Sequence, residues 1–408
     1  VFSIDLDSDG DIDVLSASGT DDKIAWYENT TSAFGTPTFT AATITTSADE
    51  ARSVYAVDMD SDGDIDVLSA SYNDDKIAWY ENNGSQSFTS HTITSSASNA
   101  FSVYAVDMDG DGDMDVLSGG GSMLKWFENN GSQSFTDHTL SGNGKSVYAV
   151  DVDGDGDMDV LSAAGTNIKW YKNNGSQSFT AYDITTSLDD AYSVYAVDVD
   201  SDGDMDVLSA SRDDKRIAWY ENNGSQSFTA HTITTDADET CSVYAVDLDR
   251  DGDIDVLSVA EKDDKIEWYE NNGSQSFTTR SITTSVDGPR SVYAVDMDGD
   301  GDIDVMSASS VDNKIKWYEN NGSESFTTRT IASASGAHSV FAVDVDSDGD
   351  IDVLSASYND DKIAWYENVG VDHLLTVKKD GTGDHSTIQA AINAASNGDT
   401  VLVYSGTY

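Results

Sequence analysis

Asp58-Met59-Asp60-Ser61-Asp62-Gly63-Asp64-Ile65-Asp66 is one copy of a nine-residue pattern, D-x-D-x-D-G-D-x-D, that occurs eight times. The copies begin at Asp5, Asp58, Asp107, Asp151, Asp198, Asp247, Asp296 and Asp344, at spacings of 44 to 53 residues. One tryptophan follows each copy: Trp26, Trp79, Trp126, Trp170, Trp219, Trp268, Trp317 and Trp365, which are all eight in the chain. A period of this length suits a four-stranded propeller blade better than a helical solenoid.

Working outward from that loop, the repeat reads as strands. Ser53-Val54-Tyr55-Ala56-Val57 is β-branched and aromatic and runs into the aspartates, and Ile65 to Ala70 leaves them. Lys76 to Glu81 alternates two faces, Asn82-Asn83-Gly84-Ser85 is a hairpin signal, and Phe88 to Thr94 makes a fourth strand. No helix-period stretch precedes Ser386. Eight units of four strands predict an all-β chain, an eight-bladed propeller of four-stranded blades over residues 1–368. The eighth unit reads Glu367-Asn368-Val369-Gly370 where the others continue into a fourth strand. The chain opens at Val1 and ends at Tyr408 inside a strand pattern, and so reads as a fragment. Lost N-terminal residues are the expected donor of the missing outer strand, with Leu374–Val377 as the in-chain alternative.

Five carboxylates within nine residues repel one another, and a hard cation removes that problem. Positions one, three, five and nine supply side chains, position seven its backbone carbonyl, and the glycine permits the turn. An all-oxygen set of this size fits Ca²⁺ better than Mg²⁺ or Zn²⁺. The expected ligands are Asp5, Asp7, Asp9, Asp11 and Asp13; Asp58, Asp60, Asp62, Asp64 and Asp66; Asp107, Asp109, Asp111, Asp113 and Asp115; Asp151, Asp153, Asp155, Asp157 and Asp159. They continue with Asp198, Asp200, Asp202, Asp204 and Asp206; Asp247, Asp249, Asp251, Asp253 and Asp255; Asp296, Asp298, Asp300, Asp302 and Asp304; Asp344, Asp346, Asp348, Asp350 and Asp352. About one ion per blade is expected, each acting within its own blade.

Charge narrows the partners. With 21 Lys+Arg against 75 Asp+Glu, a net charge of −54 excludes nucleic acid and anionic membrane surfaces. No run of apolar residues is long enough to span a bilayer, and a monomer is expected. A content of 38% hydrophobic and 10% aromatic residues supplies a core and excludes a disordered chain. Cys241, the one cysteine, cannot form an internal disulfide.

The aspartate loops between strands, the single tryptophan per unit and the unit length resemble the FG-GAP/VCBS propeller repeats. The literal Phe-Gly…Gly-Ala-Pro signature is absent, so the VCBS-like branch fits better. The resemblance implies a calcium-stabilised propeller of a secreted or cell-surface protein, used in adhesion or as a binding module. After Gly370 the period stops. Leu374-Leu375-Thr376-Val377, a short amphipathic helix through Ile388, Ala391, Ile392 and Ala395, and the strand Val401–Tyr404 resemble the entry cap of right-handed β-helix proteins. Pectinesterase-like and pectate-lyase-like domains begin this way, so residues 369–408 are expected to open a truncated pectin lyase-like domain. No residue of a lyase or esterase motif can be transferred onto the chain.

Comparison among the repeats separates two faces. The aspartate loop is uniform throughout and the Asn-Asn-Gly hairpin holds in repeats two to seven, whereas the other two connections vary. The position before the Ser-Val-Tyr/Phe strand holds Arg52, Phe101, Lys145, Tyr192, Cys241, Arg290 and His338, and should ring the mouth of the central channel. Bases and aromatics there suit an acidic sugar. The expected function is a calcium-binding module that binds carbohydrate or a protein surface. A targeting domain of a truncated pectin-active enzyme and a structural adhesin without a small ligand are the alternatives.

Overall fold

The computed structural model describes residues 2–4, 13–18, 23–27, 37, 39–85, 87–121, 123–369, 374–377, 387 and 400–403. The chain divides into two units. One comprises Phe39–Val295 and Asp302–Asn368, the other Val1–Thr38, Asp296–Gly301 and Val369–Tyr408.

The first unit contains seven antiparallel four-stranded blades. Six are contiguous in sequence: Ala51–Thr94, Ala100–Leu140, Ser146–Thr185, Ala191–Thr234, Thr240–Thr283 and Pro289–Ser333. The seventh takes Ala337–Val343, Asp352–Ser357 and Lys362–Asn368, and is completed by Phe39–Thr45. Each innermost strand packs on the next, and Ala337–Val343 packs on Ala51–Val57 to close the ring.

Burial follows position in the blade. In the innermost strand of the first blade, Val54 and Ala56 are buried while Tyr55 and Val57 are half-buried. The second strand, Asp66–Ser71, is buried at every position because neighbouring blades cover both faces. The outermost, Phe88–Thr94, is half-exposed. The tryptophans seal one blade to the next. Trp79 packs with Ala97, Ala100, Val103 and Phe127 of the second blade, and Trp365 with Val54, Val67 and Tyr80 across the closure. Around the channel, Tyr55, Tyr104, Tyr148, Tyr195, Tyr244, Tyr293 and Phe341 form an unbroken aromatic collar, with neighbouring centroids 4.8–5.1 Å apart.

Two expectations are corrected. The ring has seven blades, not eight. The last blade borrows its outer strand from the first repeat: Asn368 pairs with Phe39, Trp365 with Ala42 and Ile363 with Thr45. The eighth repeat lacks a fourth strand, and the fourth strand of repeat one fills that edge. The other three strands of repeat one, β1 (Phe2–Ile4), β2 (Asp13–Ser18) and β3 (Lys23–Tyr27), then form a separate three-stranded sheet in the second unit. Neither a lost N-terminal strand nor Leu374–Val377 is the donor. The β-helix cap is the second correction. Among the described residues there is no helix and no β-helix coil. Leu374–Val377 instead pairs in parallel with Thr400–Val403, while the helical stretch 388–395 lies outside the described residues.

Candidate functional site

Each described aspartate loop is organised by its own carboxylates. Asp58 accepts from the backbone N–H of Asp62 at 3.1 Å and of Gly63 at 3.0 Å. Gly63 has φ +96°, where a side chain would be strained. Asp62 accepts from the Asp64 N–H at 3.0 Å. Carboxylate oxygens of Asp58, Asp60 and Asp62 lie within 4.8 Å of one another. So do those of Asp107, Asp109 and Asp115, of Asp151, Asp153 and Asp159, of Asp198, Asp200 and Asp206, and of Asp247, Asp249 and Asp251. Oδ1 of Asp60, Asp153, Asp247 and Asp346 is buried without a hydrogen-bond partner. Burial and the Asp62 charge raise the pKa of Asp60. Burial with the charges of Asp348 and Asp344 pushes Asp346 to about 6.

Position nine is fully buried and doubly anchored. Asp66 accepts from the N–H of Asn82 at 2.7 Å and of Met59 at 3.0 Å. Burial outweighs those bonds and raises its pKa to about 6, as for Asp206, and that of Asp115, Asp255 and Asp352 to about 7. Position seven turns its side chain away. The Asp64 carboxylate lies against Gly84 of the hairpin, and Asp113 and Asp204 lie likewise against Gly131 and Gly224. This contact puts loop and hairpin on one face, as the sequence comparison expects. Asp5, Asp7, Asp9 and Asp11 lie outside the described residues, and Asp13 opens β2.

The loops also reach beyond their own blades. Asn222 Nδ2 donates to the Val152 carbonyl of the preceding loop at 3.1 Å, and Asn82 to that of Val345 at 3.4 Å. Gln226 in the next hairpin donates to Asp153 at 2.9 Å.

On the other face, the variable register converges as expected. Arg52, Phe101, Lys145, Tyr192, Cys241, Arg290 and His338 surround one opening of about 160 Å³. A second cavity of about 340 Å³ beside it is lined by Arg52, Arg290, Ser310, His338, Tyr358 and Asn359. The backbone explains the aim of these side chains. Ala51 pairs with Ser71 and Ser53 with Ala70, leaving Arg52 as the extra residue of a β-bulge. Phe101, Tyr192, Cys241, Arg290 and His338 occupy the same bulge in their blades. Bulges re-aim a side chain locally, here toward the mouth.

The charge there is balanced rather than positive. Lys145 pairs with Asp190 at 2.5 Å, Arg290 with Glu261 at 2.5 Å and Arg52 with Glu50 at 3.5 Å. Arg212 bridges Glu239 and Glu261 at 2.6 and 2.9 Å. His338 is no cation: burial, then the charges of Arg52 and Arg290, lowers its pKa to about 3. Burial pushes the Cys241 thiol up to about 12, which leaves it unreactive. The Arg52 guanidinium sits over three rings, 4.5 Å from Tyr358, 4.8 Å from Tyr72 and 5.2 Å from Phe101. Its Nε–H is buried without a partner. Tyr72, Arg212, Glu261 and Tyr358 were not singled out from the sequence. Each directly follows the second strand of its blade and opens a connection already read as variable, but none was named as a ligand-binding residue.

The FG-GAP-like repeat matches seven overlapping segments, 5–69, 58–118, 107–162, 151–209, 198–258, 247–307 and 296–355. The chain belongs to the FG-GAP-like repeat family. Each FG-GAP-like segment runs from one aspartate loop through the next, so the last six each straddle two blades. A comparison with curated proteins gave no match. Among solved structures, the FG-GAP-like chain is similar to a streptogramin B lyase, at 14% identity and TM-score 0.58, over 81% of this chain and 97% of that one. It is similar to virginiamycin B lyase from Staphylococcus aureus at 14% identity and TM-score 0.58, over 81% and 99%. An Agrocybe aegerita lectin that recognises non-reducing terminal N-acetylglucosamine matches at 15% identity and TM-score 0.51, over 79% and 88%. At these identities the likeness is one of fold.

Proposed function

We propose that this FG-GAP-like propeller is a monomeric, calcium-stabilised binding module of a secreted or cell-surface protein, and that its mouth opposite the aspartate loops binds carbohydrate. The observation that carries the binding reading is Arg52. It is held over Tyr72, Phe101 and Tyr358 at the edge of a cavity of about 340 Å³, with one buried N–H left unpaired. Sugar recognition needs a ring face for stacking and a few fixed polar groups for hydroxyls. The paired charges supply donors and acceptors together, which favours a neutral sugar over the uronate expected from sequence. The presence of a lectin among proteins of this fold is compatible with that reading.

The calcium reading rests on the loops. Buried carboxylate oxygens without partners, raised pKa values and an all-oxygen donor set fit a hard divalent cation. Asp58, Asp60, Asp62 and Asp66 would hold it by side chain and Asp64 by its carbonyl, with the equivalent residues in the loops that begin at Asp107, Asp198, Asp247, Asp296 and Asp344. The ion would neutralise the cluster and fix the turn. Affinities of extracellular modules, roughly 10⁻⁴–10⁻³ M, would suffice.

A glycan array in excess Ca²⁺ tests the binding reading. Wild-type protein should retain neutral glycans, and Arg52→Ala and Tyr358→Ala should lose them while melting normally. Folded protein that retains none, or variants that bind as well as wild type, would overturn it.

A further inference from the structure

In blade after blade the third strand places a glutamate two residues beyond its tryptophan: Glu81, Glu128, Glu221, Glu270, Glu319 and Glu367. Each of the first five pairs with a His or Arg side chain on the fourth strand. Glu81, Glu128 and Glu221 bond His91, His138 and His231 at 2.7 Å. Glu270 and Glu319 bond Arg280 and Arg329 at 2.5 Å. The blade Ser146–Thr185 breaks both halves of the pattern. Lys172 replaces the glutamate, and Tyr182 replaces the His or Arg.

The lysine turns into the aspartate loop instead. Its Nζ donates to Asp153 and reaches Asp155 at 3.2 Å. Asp153 is 2% exposed and also accepts from Gln226 at 2.9 Å. The ammonium therefore stands among position-three and position-five carboxylates, a pair that makes no lysine ion pair in the loops at Asp58, Asp107, Asp198 and Asp247. A divalent cation and an ammonium cannot share those oxygens without strong repulsion. Exchanging Glu for Lys shifts the local charge by two positive units, and Tyr182 stands where five other blades hold His or Arg.

We propose that the loop Asp151–Asp159 carries its own cation, the Lys172 ammonium, and that this blade takes no calcium while its neighbours do. The inference rests on the calcium reading of the other loops. It makes one blade of the ring independent of the ion, so that order there survives chelation.

Ion counting by native mass spectrometry at saturating Ca²⁺ tests it. Lys172→Glu should bind one ion more than wild type, and the double variant Lys172→Glu/Tyr182→His, which restores the arrangement of the other blades, should do the same. Equal counts for wild type and the folded double variant would overturn the inference. No ion in any of the three proteins would overturn the calcium reading and this inference with it. Hydrogen exchange on the wild-type protein needs no variant. Chelator should deprotect 58–66 and 198–206 and leave 151–159 protected; uniform deprotection of all three would overturn the inference.

Discussion

Asp64 lays its carboxylate directly on the backbone of Gly84, so that a Cβ there would stand 2.6 Å from Oδ2. The contact ties the aspartate loop to the hairpin of the same blade. It recurs at Asp113 with Gly131 and at Asp253 with Gly273. Gly84 also has φ +69°, which a side chain adopts at a cost of about 1–2 kcal/mol. Gly84→Ala should therefore destabilise the protein by about 2 kcal/mol or more in denaturant titration. A loss below about 0.5 kcal/mol would show that the contact relaxes freely.

Asp206 and Asp204 should differ sharply. Asp206 is fully buried and accepts from the N–H groups of Asn222 and Val199 at 2.7 and 3.0 Å. Asp206→Ala strands both donors, at about 1–3 kcal/mol each. Asp204→Ala removes a carboxylate that packs on Gly224 and should cost about 1 kcal/mol or less in the same denaturation assay. Equal losses would mean that position seven contributes more than its carbonyl.

On the calcium reading proposed above, chelation should lower the melting temperature, because the loop carboxylates would lose a shared counter-ion. The damage should spread between blades, since Gln133 of the next hairpin donates to Asp60 at 3.4 Å. Asp60→Ala should raise hydrogen exchange in 129–134 as well as in its own loop. Exchange confined to 58–66 would show that the loops act separately.

Strand exchange at the closure predicts a sharp boundary. A chain beginning at Pro37 should melt cooperatively, while one beginning at Ser47 lacks Phe39–Thr45 and leaves the edge of Lys362–Asn368 unpaired. The shorter chain should melt earlier and aggregate, as read by light scattering during a thermal ramp. Matching melts would remove the closing role of that strand.

His338 sets a pH dependence with a defined sign. Its pKa falls from 6.5 to about 3 on folding, mainly through burial. Below about pH 6.5 the unfolded chain binds a proton that the folded one refuses, so this contribution to stability is lost as pH falls toward 3. The stability difference between wild type and His338→Gln should narrow between pH 7 and pH 5, measured by denaturation at each pH. Comparing two proteins cancels the opposite trend of the buried aspartates, whose raised pKa values favour the folded state in mild acid. An unchanged difference would place a charged imidazole in the fold.

Much of the blade was legible because it is local. The β-branched and aromatic run Ser53–Val57, the Asn-Gly turn and the one-per-unit tryptophan each depend on neighbours in sequence, and each reappears at its expected place; the two-faced alternation expected of Lys76–Glu81 does not, because residues 77–80 are all buried between blades. The variable register from Arg52 to His338 was legible for the same reason, since a repeat protein displays its own comparison. Its electrostatics were not. Asp190, Glu239 and Glu261 lie on connections between strands, and only the folded ring brings them to Lys145, Arg212 and Arg290.

By itself the sequence determined the unit: four strands, an acidic turn on one face and a variable turn on the other. The number of blades was decided by tertiary structure. Phe39–Thr45 has the same pattern as every other fourth strand, and nothing within it distinguishes the edge at Lys23–Tyr27 from the edge at Lys362–Asn368. Ring closure makes that choice, because Ala337–Val343 meets Ala51–Val57 after seven blades and Trp365 then packs on Val54 and Tyr80. Closure depends on how far each blade turns relative to the last, a sum over all the interfaces that no single repeat encodes.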